Sequence, residues 1–249
     1  MISTVPPALL FIVGAILIPF LKGKWKAAYL LILPIVGFIN LLHIPEGTHW
    51  EVRFLDYVLI FGRVDRLSLL FGYIFVLISF IAFLYALHVQ DDLQHAAGLV
   101  YAGSALGVVF AGDFFSFFVF WEMLNAASIF LIWSRRTPAS LGAGFRYLLI
   151  HAAGGLCLLA GILLHVYEKG SAEFGYIGLN GLASYLIFLG FGLNCAWPLL
   201  HVWLTDASPA ATVTGTIFLS AFTTKTAVYA LARAFPGTEA PFLLKHQAN

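Results

Sequence analysis

The sequence predicts an all-α integral membrane protein of about eight transmembrane helices, one of them broken near Pro198. Three observations lead there. Of the 249 residues, 61% are hydrophobic and only 10% are charged, and the mean hydropathy is +0.93. A soluble domain carries about 25% charged residues, so this chain cannot dress a water-facing surface. The apolar residues fall in runs close to the ~20 residues a helix needs to cross the hydrocarbon core. Two of those runs carry one ionisable residue near the middle: Glu122 in FFSFFVFWEMLNAASIFLIW and Lys225 in LSAFTTKTAVYAL. A charge at the bilayer centre costs roughly 2.5–3.5 kcal/mol on insertion scales, which marks both as functional candidates.

Span one is read from about Val5 to Leu21, with Pro6 and Pro7 in its first turn, where proline is tolerated. The N-terminus lacks a basic n-region and a small-residue cleavage site, so it reads as a retained span and not a signal peptide. Lys22, Lys24 and Lys26 form a short basic loop. Span two, about Ala27 to Leu42, carries Pro34 as a predicted kink. The connection 43–66 is the long polar, extramembrane one. Its loose alternation in EVRFLDYVLIFGRVDRL favours a short hairpin or an amphipathic segment over a span. Span three is about Leu67 to Leu87 and the loop His88 to His95 is acidic. Residues 1–95 thus form an N-terminal group of three helices.

Residues 96–235 form a second group of five. Span four is about Ala96 to Ala111, and Gly112-Asp113 breaks tightly into span five, Phe114 to Trp133. The loop Ser134 to Ser140 holds Arg135, Arg136 and Pro138. Span six is about Gly142 to Tyr167, followed by the polar linker Glu168 to Tyr176. Span seven is about Leu179 to Leu204 and contains Pro198. After the loop Thr205 to Thr212, span eight runs from Val213 to Phe235, and residues 236–249 form a tail. The Lys/Arg bias of the short loops puts Lys22, Lys24, Lys26, Arg135 and Arg136 inside and Lys169 outside. Both termini are therefore expected outside a cell (inner) membrane.

Several function classes fall away. Net charge is +1, so nothing argues for a nucleic-acid partner. Cys157 and Cys195 lie in apolar stretches without ligand spacing and read as small buried residues. No Walker motif, dinucleotide fingerprint, metal-ligand cluster or nucleophile elbow occurs, so no cofactor and no metal are expected, and no redox chemistry in this chain. Gly154-Gly155 reads as a helix-packing site.

The polar groups inside the spans carry the functional reading. Glu122, Asn125 and Ser128 recur at helical spacing and make one polar face. A carboxyl group in a low-dielectric site can be neutral or charged near neutral pH, which suits proton or ion transfer; the plainer reading is an acid that only joins helices. Lys225, among Thr223, Thr224, Thr226 and Tyr229, lies about ten residues from either end of its span, too deep for easy snorkelling. His151, in YLLIHAAGG, is either a hydrogen-bonded interior histidine or a relay. His201 follows Pro198 in PLLHVWLTD. A mid-span proline breaks the helix, and broken membrane helices mark transport sites. Asp206 can pair with a basic group or cap span eight; both readings stay open. Asn194 is a buried amide four residues before Pro198.

Taken together, FFSFFVFWEM, GFGLNCAWPLLHVWLTDASPAATVTG and FTTKTAVYALAR resemble the membrane antiporter-like subunits, the family of the proton-pumping subunits of complex I (NADH:quinone oxidoreductase) and of the D-type subunit of Mrp Na+/H+ antiporters. The likeness is strongest from Gly112 to Arg233. It implies that spans four to eight are the first of two inverted five-helix repeats, in a subunit about twice this length. It implies that Glu122 is the family glutamate, that Lys225 is the span-eight lysine, and that His201, Trp203 and Asp206 match the HxWLPDA-like segment after the break. Asn194 stands where the family carries a lysine, and Thr205 where it carries a proline. By this likeness Asn194 faces Glu122, which neutral hydrogen bonds from Asn194 or Asn125 would hold. The implied function is a proton or Na+/H+ translocation subunit of an Mrp-like or complex I-like assembly, using Glu122, Lys225, His201 and His151 as relay groups, with Asn194, Asn125, Pro198 and Asp206 shaping the pathway. The alternative is a structural or assembly subunit without transport of its own. Its partners would be other membrane subunits and the lipid bilayer.

Overall fold

The computed structural model describes residues 5–236, and these are mostly helical with one small sheet. The helices are α1 Pro7–Ile16, α2 Gly23–His43, α3 Arg66–Tyr85, α4 Asp92–Phe110, α5 Phe114–Trp133, α6 Pro138–Lys169, α7 Leu182–Asn194, α8 Val202–Ala210 and α9 Val213–Ala234. The strands β1 Gly47–Phe54 and β2 Tyr57–Val64 pair antiparallel, Phe54 opposite Tyr57, around the turn Leu55-Asp56. Of the two possibilities for the connection 43–66, the hairpin is the one adopted, so the fold is helical with a minor β element.

Among the described residues, α2, α3 with its closing 3-10 turn, α4, α5 and α6 are long and apolar enough to cross a membrane. Pro7–Phe20 and α7 are shorter apolar helices. The protein is thus a multi-pass membrane protein. α9 is 22 residues long but more polar. Predicted span seven departs furthest from expectation. It divides into α7, a non-helical stretch 195–201, and α8, which absorbs most of the expected loop Thr205 to Thr212. α6 also starts earlier and ends later than expected, at 138 and 169. Cys157 and Cys195 are each partly exposed instead of fully buried, and Cys195 packs against the edge of the core. The expected tail lies almost wholly outside the described residues, as does the N-terminal segment 1–4.

Inside lipid every backbone group must find an internal partner, and the helix ends show how this chain does it. Asp113 caps α5 by accepting from Phe115 and Ser116 amides at 2.9 and 2.8 Å. Asp65 with Ser68, and Thr137 with Ser140, form reciprocal capping boxes at α3 and α6, and Thr212 caps α9. α6 ends on Gly170 in the left-handed conformation, φ 70°. α4 runs through the middle of the bundle and is almost wholly buried. Its small residues let neighbours approach: a Cβ on Gly107 would lie 2.3 Å from the Phe120 ring, and one on Gly103 2.9 Å from the Ala8 carbonyl. Leu70, Leu77 and Leu84 on α3, and Leu149, Leu156 and Leu163 on α6, form outward apolar stripes at seven-residue spacing, as lipid-facing sides require.

Each end of the bundle is tied by ions and amides. At one end the hairpin folds over the α4–α5 break: Gly112 N–H donates to the Ile60 carbonyl, and Phe174 N–H to the Gly112 carbonyl. There Arg233, fully buried in the last turn of α9, donates from Nη2 to both oxygens of Asp65 at 2.8 Å each and from Nε to Tyr229 Oη at 2.7 Å. Burial opposes ionisation of Asp65, but the Arg233 guanidinium and the Ser68 amide outweigh it and hold the carboxyl below its usual range. At the other end Lys26 pairs with Asp92, and Arg136 with Asp91 at 2.8 Å.

Removing one member of a buried ion pair costs about 3–5 kcal/mol, because the other keeps its charge in a desolvated place without that partner. Arg233→Met should therefore lower the thermal unfolding midpoint in detergent steeply, and Arg233→Met with Asp65→Leu should recover part of the loss. Because the folded pKa of Asp65 is depressed, its stabilisation is present above the unfolded carboxyl value near 4 and fades as pH falls through the lower folded value. The gap between wild type and Asp65→Asn should be flat above about pH 5 and shrink on acidification below about pH 4. A gap that widens in acid would contradict the pairing.

Candidate functional site

The polar interior lies where α5, α6 and the broken end of α7 meet. Glu122, midway along α5, is half-buried and leans on α6 at Gly155. A Cβ there would sit 2.4 Å from Glu122 Oε1, so a glycine is what lets the carboxylate lie against the helix. One turn further along α5, Asn125 donates from Nδ2 to Glu122 Oε1 at 3.4 Å, a long contact. Asn125 Oδ1 accepts from Asn194 Nδ2 at 3.0 Å. Glu122, Asn125 and Asn194 thus form one chain of side chains from α5 to the last residue of α7. Among the described residues Glu122 makes no ion pair.

Why α7 stops at Asn194 is visible in its cap. Trp197 N–H donates to the Gly192 carbonyl at 3.2 Å and Ala196 N–H to the Leu193 carbonyl at 3.1 Å. This is the Schellman pattern, with Ala196 in the left-handed region, φ 57°, where glycine is usual. Pro198 then excludes a return to helix, and Leu199 also turns left-handed, φ 74°. Across the break, the buried Trp203 of α8 donates from Nε1 to the Leu193 carbonyl at 2.9 Å. An indole on the second half of the interrupted segment therefore adds a second donor to a carbonyl in the cap of the first half. α7 ends inside the bundle with its dipole's negative pole at Asn194.

A second polar set adjoins the first. Ser128, two turns from Glu122's position on α5, lies 2.9 Å from Tyr147 Oη. His151 stacks on the Tyr147 ring at 3.8 Å between centroids and meets the edge of Trp203 at 4.6 Å. Its Nδ1 is 3.0 Å from the Tyr147 carbonyl. His151 and Gly155 are one turn apart on the same face of α6. Tyr101 of α4 bonds Thr223 of α9. His151 Nε2, Asn194 Oδ1 and Thr226 Oγ1 are buried without a hydrogen-bond partner in the protein. Groups of this kind are where buried water is held.

Of the residues singled out in the sequence, Glu122, Asn125, Asn194 and His151 converge, with Pro198 in the break beside them. Lys225 does not join them. It lies on the exposed flank of α9, and its ammonium donates to the Ser220 carbonyl at 2.6 Å. His201 is exposed at the start of α8. Asp206 pairs with Arg146 of α6 through two bonds, 2.7 and 2.8 Å, while Thr212 caps α9; this decides between its two readings. Burial tends to raise an acid, but the two bonds from Arg146 lead, and Asp206 sits below the ordinary carboxylate range. Sequence reasoning overlooked Tyr147, Arg146, the Tyr101–Thr223 bond and the seat that Gly155 gives Glu122. Only the glycine pair offered a signal, and packing explained it equally well.

Residues 111–245 match the family described as NADH:quinone oxidoreductase/Mrp antiporter, transmembrane. Na(+)/H(+) antiporter subunit A1 of Staphylococcus haemolyticus is 26% identical over 94% of this chain and 32% of its own length, and that of Staphylococcus aureus is 27% identical over the same shares. The chain therefore spans about a third of the length of the curated relatives it matches. Among solved structures, the Mrp complex from Dietzia sp. DQ12-45-1b superposes with TM-score 0.78 at 24% identity over 90% of this chain and 27% of that one. Respiratory complex I from Thermus thermophilus superposes with 0.76 at 21% identity over 92% and 53%.

The Asn125–Asn194 bond has a direct test. Asn194→Leu removes the donor and strands Asn125 Oδ1 in the interior, which should cost about 1–3 kcal/mol, whereas removing both amides should cost less. Thermal unfolding in detergent should show Asn194→Leu below wild type and Asn194→Leu with Asn125→Leu partly restored. Additive losses would mean that the two amides do not interact.

Proposed function

Since this chain belongs to the NADH:quinone oxidoreductase/Mrp antiporter transmembrane family, we propose that it is an ion-translocating membrane subunit in which Glu122 takes up and releases the ion. One observation carries the reading: a half-buried carboxylate in mid-helix, without a counter-charge among the described residues, bonded through Asn125 to the end of a helix broken inside the bundle. An isolated acid is costly in lipid, and a broken helix is tolerated where freed groups line a cavity or meet protein. His151, with one ring nitrogen unpartnered beside Trp203, continues the pathway on α6. Lys225 and the exposed His201 serve it from the flank, and the Asp206–Arg146 pair holds α8 against α6. The names of the relatives support Na+ or H+ as the ion, and the solved structures this fold resembles come from an Mrp complex and a respiratory complex, which supports a multi-subunit membrane assembly.

A specific feature favours a second reading, a structural or assembly subunit. Asn194 is neutral and Lys225 lies on the exposed flank of α9, so among the described residues Glu122 has no fixed basic partner. Transport separates the two. In vesicles holding the native assembly, Glu122→Gln should lower coupled ion flux on the order of 100-fold, since an amide neither binds nor releases a proton, while the assembly still forms. Lys225→Arg keeps charge but cannot release its proton and should be defective, Lys225→Ala more so. Undiminished flux in Glu122→Gln would leave the structural reading standing.

We also propose that the hairpin and both chain ends face the outside. With Cys157 and Cys195 replaced by serine, Glu51→Cys should react with an impermeant maleimide added to intact cells, and Lys24→Cys only after the membrane is opened. The reverse pattern would invert the topology.

A further inference from the structure

We propose that the groove between the β-hairpin and the first two turns of α5 binds one acyl chain of a bilayer phospholipid. The groove holds about 370 Å³, within the range of about 300–1,000 Å³ usual for small-molecule sites. Side chains alternate along a strand, and the register sets Phe54 opposite Tyr57 and Val52 opposite Leu59. One face of the hairpin is therefore apolar out to its tip, and Phe54, Leu55, Tyr57 and Leu59 of that end line one wall. Phe115, Ser116 and Val119 of α5 line the other. Two edge-on ring contacts fix the separation of the walls. Phe61 meets Phe120 at 6.1 Å between centroids, and Tyr57 meets Phe115 at 5.1 Å. The groove is thus formed before anything enters it.

Three features make lipid the occupant. The first is continuity. Below the groove α5 exposes Val119, Ala126 and Phe130 at spacings of one helix face, so the groove is the upper end of an apolar stripe on a membrane-spanning helix. The second is a lone polar group at the matching level. Ser116, in the first turn of α5, is 2% exposed, and its hydroxyl has no hydrogen-bond partner among the described residues. An acyl chain carries an ester carbonyl, an acceptor, at its head and only methylenes beyond it. The lining has the same order, one hydroxyl near the membrane boundary and apolar groups onward to Val119. Tyr57, an amphipathic aromatic, suits the headgroup level at the rim. The third is the tip. Leu55 takes the first central position of the two-residue turn with φ 53°, where glycine is usual, and its side chain is 78% exposed. A left-handed leucine is strained, and water gives it nothing in return. Dipped into hydrocarbon, the same side chain escapes the unfavourable hydration of its apolar surface. Strain kept at one exposed position is a mark of function there, and here it sets an apolar tip over the mouth of the groove.

The test uses membranes holding the native assembly, supplied with phosphatidylethanolamine that carries a diazirine in one acyl chain. After illumination, peptide masses should place adducts on residues 54–59 and 115–119. Their yield should be several-fold above that in the apolar groove between α2 and α3, lined by Phe38, Val76 and Phe80, which has no hairpin over it. Val119→Trp fills the hairpin groove and should remove the excess. Leu55→Gly relieves the left-handed strain, so its unfolding midpoint in detergent should equal or exceed that of wild type while its labelling falls. If Val119→Trp does not fold, Leu55→Gly decides alone. Labelling no denser at the hairpin than between α2 and α3, or labelling that Leu55→Gly leaves unchanged, would overturn the site. So would adducts that form on the purified full chain in vesicles of the same lipid but are missing from the native assembly, because a protein neighbour would then fill the groove.

Discussion

The buried pairing of Arg233 with Asp65 is what the rest of the fold leans on. It joins the last turn of α9 to the residue that caps α3, and so brings together chain segments 168 residues apart. Tyr229 extends the link: its hydroxyl accepts from Arg233 and donates to the Val109 carbonyl at the end of α4. Arg63, two residues before Asp65, bonds the Phe174 carbonyl in the α6–α7 linker. One charge cluster at the membrane boundary thereby fixes β2, α3, α4, α9 and the linker relative to each other. A desolvated pair contributes little net stability compared with apolar packing, but it is costly to misalign. Its effect is to specify one arrangement of helices whose mutual apolar packing in lipid would otherwise discriminate weakly.

From that frame the candidate site follows by local rules. Asp113 caps α5 and simultaneously accepts from the Ile60 amide of β2 at 2.6 Å, so the start of α5 is pinned to the hairpin and its register is set. Two turns along, that register turns Glu122 toward α6 and Asn125 toward α7. On α6 the glycine at 155 opens the seat, and on α7 the Schellman cap ends the helix at the asparagine that reaches Asn125. The break is held from both sides: Trp203 bonds back to Leu193, and the Asp206–Arg146 pair docks α8 on α6. Each of these devices places a polar side chain of the cluster without belonging to it.

Legibility in the sequence divides along the same line. The spans were legible because length and hydropathy are properties of continuous runs, and Phe114 to Trp133 is bounded as expected since Asp113 caps it. Glu122 stood out because a lone acid in such a run is rare. Asn194 was legible only through its spacing from Pro198 and His201. What could not be read depends on pairs far apart in the chain. Arg233 falls near the end of span eight and Asp65 in the connection 43–66; nothing in either neighbourhood says that they meet. Span seven read as one proline-broken segment because Pro198 was visible, whereas the actual stop is made by Ala196 taking a left-handed turn, which sequence disfavours. The outward position of Lys225 was not legible, for a physical reason. Depth in a helix was legible, but which side faces the bundle was not, and α9 buries Thr223, Thr226 and Tyr229 while turning Lys225 outward.

That outward lysine and the inward glutamate define the electrostatic problem the chain solves. Were both charges on the inner face, they would neutralise each other in a low dielectric, and the strength of that attraction would hold the acid in one state. Separating them leaves Glu122 with neutral, reversible partners, amides that serve as donors or acceptors as needed. It leaves Lys225 bonded to a backbone carbonyl, where its charge is satisfied without consuming the acid. The costs are visible in the structure: a half-buried acid without a fixed counter-charge, and buried oxygen and nitrogen atoms on Asn194, His151 and Thr226 that no protein group satisfies. Polar atoms left unsatisfied in a bundle otherwise sealed by capped helices are expensive. Here they occur at the end of α7, on α6 and on the inner face of α9, beside the break in the α7–α8 segment.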